Sequence, residues 1–356
     1  MDLVDLGWCD AFAQHFPHHL TGWLPARVAV THRSRYLLYT QEGEKDALLA
    51  GALLHAPEPH RPVTGDWVAF APGEPGDPVR LLRVLPRRTV LTRRMPISGG
   101  KRWTTFEGES RLGGGASVGQ PLAANMDLIF IVASLDGDYS LNRIRRGLIL
   151  ARCAGAEAVV ILNKADLGDP SQALAEVADL APVVALSAAT GQGLSLLAPW
   201  LQPGRTIALL GSSGVGKSSL VNALLGSARQ FVSPKSQSTG KGRHTTSRRE
   251  LVLLPQGSCL LDTPGLREVQ LWAGEQDVSL AFEPVEVLAL GCRFTDCRHD
   301  SEPGCAVKSA VEGGLVEPWL LEEYRRLARE VRYLALRRRE RLLALDRKHA
   351  GLPGQR

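Results

Sequence analysis

The 356-residue sequence predicts a chain of several domains: a small N-terminal β-barrel, a central α/β domain built on a phosphate-binding loop, and a C-terminal helical domain that holds a metal. Three observations predict it. Short β-rich runs bounded by Gly, Pro and Asp clusters fill residues 26–85. Apolar strands, buried on both faces, then alternate with helices between residues 127 and 262, the pattern of a mainly parallel sheet covered on both sides. Cys292, Cys297, His299 and Cys305 follow close together.

Composition is that of a soluble globular protein. The formal net charge of +5 is modest, but positive residues concentrate near 87–102, 241–249 and 325–348. Such locally basic surfaces suit a polyanionic partner, although any single run is also compatible with plain solvated charge. Cys9, Cys153 and Cys259 stand apart in ordinary or apolar contexts and read as reduced, inert thiols. Residues 1–16 carry acids where a signal peptide would be positive, and no uninterrupted apolar run is long enough to span a bilayer. A cytoplasmic location with no membrane partner is expected.

Taken in order, residues 1–23 show no clear period and read as a loosely attached helix or arm. Strands are expected at 27–31, 35–40, 48–54, 66–71 and 79–85; five is the strand count of an OB-fold, which leaves oligonucleotide binding and protein docking equally open. The Arg-, Lys- and Gly-rich stretch 87–119 reads as a linker or mobile loop. Within it, Trp103 and Phe106 beside Lys101 and Arg102 suit stacking on unpaired bases, while a flexible segment with one anchoring aromatic is the simpler account. The α/β region gives strands at 128–132, 158–162, 183–186, 206–210, 250–254 and 259–261, with helices at 141–154, 172–180, 194–201 and 220–225.

Between the strand 206–210 and its helix runs Gly211-Ser212-Ser213-Gly214-Val215-Gly216-Lys217-Ser218-Ser219. Strand, Gly-rich turn and helix together are the context that makes G-x-x-x-x-G-K-[ST] a phosphate loop. Glycines let consecutive N–H groups face the phosphates, Lys217 supplies a point charge, and the Ser218 hydroxyl can ligate Mg²⁺. The strand 158–162 ends in Asn163-Lys164-Ala165-Asp166. An Asp166 carboxylate can take N1–H and N2–H of guanine together while the Asn163 amide addresses N7; adenine has no N2 amine and is rejected. The next strand ends in Ser187-Ala188-Ala189-Thr190-Gly191, whose tight turn can offer N–H groups to O6. After 259–261 comes Asp262-Thr263-Pro264-Gly265, in which Asp262 can reach Mg²⁺ through a water and the Gly265 N–H can report the γ-phosphate. Residues 240–247 include His244, Thr245 and Thr246; one of the two threonines should complete the Mg²⁺ shell.

The order of these motifs, guanine-reading before phosphate loop, is that of a circular permutation, which joins old termini and opens new ones on the same sheet. The fold expected is therefore an N-terminal β-barrel (OB-fold), a central α/β circularly permuted P-loop GTPase domain and a C-terminal zinc-binding helical domain. At residues carrying that order, with a barrel before and a Cys/His cluster after, the chain resembles the ribosome small-subunit-dependent GTPase A family (RsgA, also called YjeQ). The resemblance covers roughly residues 25–345 and includes Gly65-Asp66-Trp67-Val68, Asn163-Lys164-Ala165-Asp166-Leu167 and Gly242-Arg243-His244-Thr245-Thr246. Two departures stand out: the linker around 96–115 looks longer than the family's, and Ser247 replaces the family's third threonine. The boundaries expected are 1–23 for the arm, 24–92 for the barrel, 93–119 for the linker, 120–276 for the GTPase domain and 277–356 for the zinc-binding domain.

Cys292, Cys297, His299 and Cys305 supply three thiolates and an imidazole, a closed tetrahedral set for a structural Zn²⁺; the resemblance implies the same four ligands. Arg293, Arg298 and Lys308 lie around them and can present positive charge to RNA. Beyond, Leu320, Tyr324, Leu327, Val331 and Leu334 form one apolar helical stripe opposed by arginines from Arg325 to Arg341, suited to a phosphate backbone. The resemblance implies a monomeric GTPase that binds GTP and GDP, the 30S subunit and 16S rRNA, and serves late small-subunit maturation. Leu266 stands where many GTPases place a water-orienting glutamine, so slow intrinsic hydrolysis is expected, with His244 the candidate catalytic group beside Lys217, Thr245 and Thr246. Two rivals remain open at this point: a metal-handling regulatory GTPase, and an RNA-binding scaffold with a structural nucleotide.

Overall fold

Alternating apolar and polar positions between residues 24 and 84 close into a barrel. Strands β1 (Leu24–His32), β2 (Arg35–Thr40), β3 (Gly43–Leu49), β4 (Trp67–Ala71) and β5 (Val79–Val84) pair in the order β1-β2-β3-β5-β4, and β4 returns to β1. All pairings are antiparallel except β3 with β5, the arrangement of an OB barrel. Its core includes Val28, Leu38, Ala47, Val68, Phe70 and Leu81. The structure is a computed structural model and describes every residue except 19, 33–34, 58–59, 75, 94–119, 227–249, 263–281, 330–332 and 334–356.

The α/β part adds β8 (Leu128–Ser134), β9 (Glu157–Asn163), β10 (Val183–Ala185), β11 (Thr206–Leu210), β12 (Glu250–Leu253) and β13 (Cys259–Asp262). They lie in the order β10-β9-β8-β11-β13-β12, parallel except for β12. Helices α3 (Leu141–Ala154), α4 (Ser171–Ala178) and α5 (Lys217–Leu225) connect them. Phe130, Ile161, Leu209 and Leu260 bury their side chains in one core with Leu197 and Leu220. The sheet does not stop at β12: β1 pairs with it, Val30 opposite Glu250, making eleven strands continuous across barrel and α/β part. A register shift at Val28/Val30 breaks β1, so its first half serves β4 and its second half β12. The Tyr39 hydroxyl donates to the Leu251 carbonyl at 3.0 Å across the same junction.

Contacts divide the chain into two compact units, Met1–Arg93 with Gly119–Gln270, and Arg94–Val118 with Leu271–Arg356. In the second, α6 (Glu283–Ala289), α7 (Ala306–Glu312) and a helix at 318–329, here α8, surround the Cys/His cluster.

Four expectations need correction. Residues 1–23 are not loosely attached: a short helix, α1 (Asp10–Ala13), lies in them, Leu6, Phe12 and Phe16 are buried, and Trp8 meets Trp67 edge to face at 4.7 Å. The third barrel strand is Gly43–Leu49 rather than 48–54, and Ala52–His55 forms a helical turn (α2). The charged Glu44, Lys45 and Asp46 sit on a half-solvated strand, where alternation rather than polarity is the signal. The helix expected at 194–201 is only a 3₁₀ turn, Leu194–Leu197, because Pro199 has no N–H to continue the ladder. Finally, the linker at 87–119 begins with a strand: β6 (Val90–Arg93) pairs antiparallel with β7 (Gln120–Ala124). Trp103 and Phe106 lie outside the described residues.

Buried Arg27 ties arm, barrel and α/β part together. Only 1% exposed, it donates to the carbonyls of Leu6, Gly65 (3.3 Å) and Asn125 (2.9 Å), and its guanidinium lies 5.4 Å from the Trp67 ring centroid. Burial lowers its pKa, opposed by the nearby Asp127 and Asp66 carboxylates. Asp66 is itself clamped by Arg87, whose Nε and Nη2 donate to its two carboxylate oxygens, each at 2.8 Å. Replacing Arg27 by Met leaves the Leu6 and Asn125 carbonyls without this donor, so Arg27→Met should destabilise the first unit by about 3 kcal/mol, read as a lowered urea midpoint.

Candidate nucleotide edge and metal centre

Parallel strands β8, β9, β10, β11 and β13 end on one edge of the sheet, the edge at which α/β folds bind ligands. Ser134, Asn163, Ala185, Leu210 and Asp262 are the last residues of those strands. The phosphate loop leaves β11 at Gly211 and enters α5 at Lys217. Two of its glycines are sterically required. A Cβ on Gly211 would lie 2.3 Å from the Val132 carbonyl oxygen, and one on Gly216, whose φ is +94°, would lie 2.2 Å from the Asn163 amide nitrogen. The N-cap of α5 is Gly216, which brings no side chain over the start of the helix. The Lys217 ammonium donates to the Gly211 and Ser212 carbonyls, both at 2.6 Å, closing the loop on itself. Ser213, Gly214, Ser218 and Ser219 are exposed, and Val215 is buried under the loop.

Asn163 joins neighbouring loops. It is 2% exposed; its Nδ2 donates to the Val215 carbonyl at 2.8 Å, and its Oδ1 accepts from the Ala188 N–H at 2.9 Å. One amide thus joins the end of β9 to the phosphate loop and to the loop after β10. The same bond engages the Ala188 N–H, one of those expected to meet O6. Ser187 is buried, its hydroxyl accepting from the Thr190 N–H at 3.2 Å and its carbonyl from the Gly191 N–H at 2.9 Å. Asp166 projects into solvent with no hydrogen bond or ion pair among the described residues, the state a base-reading carboxylate needs. Lys164, with φ +65°, is ion-paired to Asp136 in the loop after β8. That partner carries no motif and is invisible in sequence. Asp262 ends β13 beside β11; His244, Thr245, Thr246 and Gly265 lie outside the described residues.

In the second unit, one ligand atom from each of Cys292, Cys297, His299 and Cys305 falls within 4.8 Å of the others. Tetrahedral bonds of about 2.3 Å to sulfur and about 2.05 Å to nitrogen imply edges near 3.8 Å between sulfurs and 3.5 Å between sulfur and nitrogen. Cys292 and Cys305 Sγ are 3.9 Å apart, and His299 Nδ1 lies 3.6 Å and 3.4 Å from them. The donor set fits zinc in size and chemistry. Burial pushes the Cys292 thiol up, but N–H groups of Val307 and Ala306 at the start of α7 bring it below its ordinary value. Cys305 accepts from the Lys308 N–H at 3.4 Å. The His299 ring is backed by Tyr324 at 5.7 Å, whose hydroxyl donates to Glu286 at 2.9 Å. In the sequence, Tyr324 is legible only as part of an apolar stripe.

The basic character expected here is partly spent within the unit. Arg325 pairs with Asp300 and Arg326 with Glu323, each at 3.6 Å, while Glu302 accepts from the Arg298 and Asp300 N–H groups and is held down to about 2. Arg329 is exposed; Val331, Leu334 and the arginines from Arg332 onward lie outside the described residues.

A family model described as RsgA GTPase matches residues 109–272. A protein of Opitutus terrae named "Small ribosomal subunit biogenesis GTPase RsgA" is 46% identical over 353 residues, covering 95% of this chain and 92% of the relative. The chain belongs to the RsgA GTPase family. GTP hydrolysis is the activity of that family, and this chain is a GTP hydrolase. A relative of the same name from Syntrophotalea carbinolica is 41% identical over 93% of this chain and 90% of its own length. Among solved structures, YjeQ from Thermotoga maritima superposes with a TM-score of 0.62 at 27% identity, over 87% of this chain and 98% of that one. YloQ, described as a circularly permuted GTPase, matches in fold with a TM-score of 0.57 at 22% identity, over 89% and 98%. The permuted order found at this edge is therefore the family's fold.

Two outcomes test the geometry. Asn163→Asp places a carboxylate oxygen against the Val215 carbonyl, so GDP affinity should fall at least tenfold in a fluorescent-nucleotide titration. Metal analysis should find one zinc per chain, and Cys297→Ser or chelation should abolish it together with the helical signal of the second unit.

Proposed function

We propose that this GTPase acts on the small ribosomal subunit, binding the 30S particle and its 16S rRNA in the GTP state and leaving after hydrolysis, as a switch in late subunit maturation. The observation that carries the reading is a relative named for small-subunit biogenesis that is 46% identical across 95% of this chain. The local chemistry is consistent with it. Asp166 is free to take the guanine N1–H and N2–H, Asn163 holds Ser187 and Ala188 in place beside the loop 211–216, and Lys217 stands at the start of α5. Mg²⁺, held by Ser218 and by Thr245 or Thr246 with Asp262 through a water, would neutralise charge on the phosphates. Water attacks the γ-phosphorus, the bond to the β–γ bridging oxygen breaks, and GDP and phosphate leave.

Leu266 cannot orient that water, so in this reading His244 does, and the ribosome accelerates the step by ordering it. A zinc held by Cys292, Cys297, His299 and Cys305 would be structural, since these four side chains could take all its tetrahedral positions, which counts against the metal-handling alternative. No described helix is long and apolar enough to cross a membrane. The reading places the protein in the cytoplasm, as a monomer.

Co-sedimentation with 30S subunits should be strong with a non-hydrolysable GTP analogue and weak with GDP; equal binding in both states would refute the switch. His244→Ala should lose most of the 30S-stimulated rate, at least tenfold, while retaining GDP affinity.

A further inference from the structure

Lys164 occupies a backbone conformation that few non-glycine residues adopt, at φ +65°. Its neighbours fix that turn: the Ala165 N–H donates to the Leu186 carbonyl at 3.1 Å and the Leu167 N–H to the Lys164 carbonyl at 3.0 Å. The ammonium ends on the Asp136 carboxylate, with 26% of the lysine side chain and 30% of the aspartate exposed. The loop carrying Asp136 is anchored to the same strand, because the Leu135 N–H donates to the Asn163 carbonyl at 3.0 Å. Lys164 thus lies one residue from Asn163 and two from Asp166, and Asp136 follows Leu135, which is hydrogen-bonded to Asn163 at the same edge.

We propose that Asp136 is a positioning residue for the guanine subsite: its ion pair with Lys164 Nζ pins the lysine methylene stem beside Asp166 as a shelf for the purine face. The inference rests on the reading of residues 163–166 as the base-contacting segment. A free lysine stem has much rotamer freedom to lose when a base lands on it; a stem already tethered at its tip has less. The proposal differs in sign from plain electrostatics. A nucleotide is polyanionic, so deleting a merely nearby carboxylate would tighten binding, whereas deleting a tether loosens it.

The test is a double-mutant cycle in the full chain, with GDP and GTP affinities measured by fluorescent-nucleotide titration for wild type, Asp136→Asn, Lys164→Ala and the double variant. Asp136→Asn should weaken GDP and GTP alike by about three- to tenfold, seen in KM rather than kcat, and Asp136→Glu should recover part of the loss. The double variant should bind no worse than Lys164→Ala. Unchanged or tighter binding by Asp136→Asn, or losses that multiply in the double variant, would overturn the inference. If Lys164→Ala itself binds as wild type, the base-contacting assignment falls and takes this inference with it. If Lys164→Ala weakens binding and Asp136→Asn does not, the assignment stands and this inference alone falls.

Discussion

The buried amide of Asn163 is the joint on which the nucleotide edge depends. The amide donates from one atom and accepts at another, and here the donor goes to Val215 in the phosphate loop and the acceptor to Ala188 after β10. Three loops from three strands are thereby fixed relative to one another before any ligand arrives. Buried polar groups that are satisfied rigidify a site, and removing either bond costs stability. Gly216 follows from the same constraint, since any Cβ there would strike the Asn163 amide.

That joint lies at one end of a sheet whose other end is shared with the barrel. β12 is hydrogen-bonded to β13 on one side and to β1 on the other, and Tyr39 reinforces the second contact. In sequence, β12 follows the segment holding Thr245 and Thr246, and β13 precedes the one holding Gly265. Of these two strands, β12 is hydrogen-bonded to barrel backbone directly, and β13 only through β12.

What could be read from sequence was whatever is local. The phosphate loop, Asn163-Lys164-Ala165-Asp166 and the four metal ligands are short patterns whose chemistry needs those residue types at that spacing, and α3 agreed with its apolar periodicity at both ends. What depends on contacts distant in sequence was not legible. Nothing in residues 1–23 announces that Trp8 packs on Trp67 or that the Leu6 carbonyl meets Arg27. β6 and β7 pair across a basic, Gly-rich stretch whose composition argues for a linker. Asn163 was recognised, but its partners are 52 and 25 residues away and its burial is a tertiary fact. Arg325 and Arg326 meet the same limit: sequence gives their charge, and only the structure sets Asp300 and Glu323 against them.

Nucleotide turnover with and without purified 30S subunits tests the central claim most directly. The account predicts slow hydrolysis of GTP alone, at least tenfold faster hydrolysis with 30S subunits, and no hydrolysis of ATP in either condition. A GTP rate indifferent to saturating subunits, or equal turnover of ATP, would contradict it.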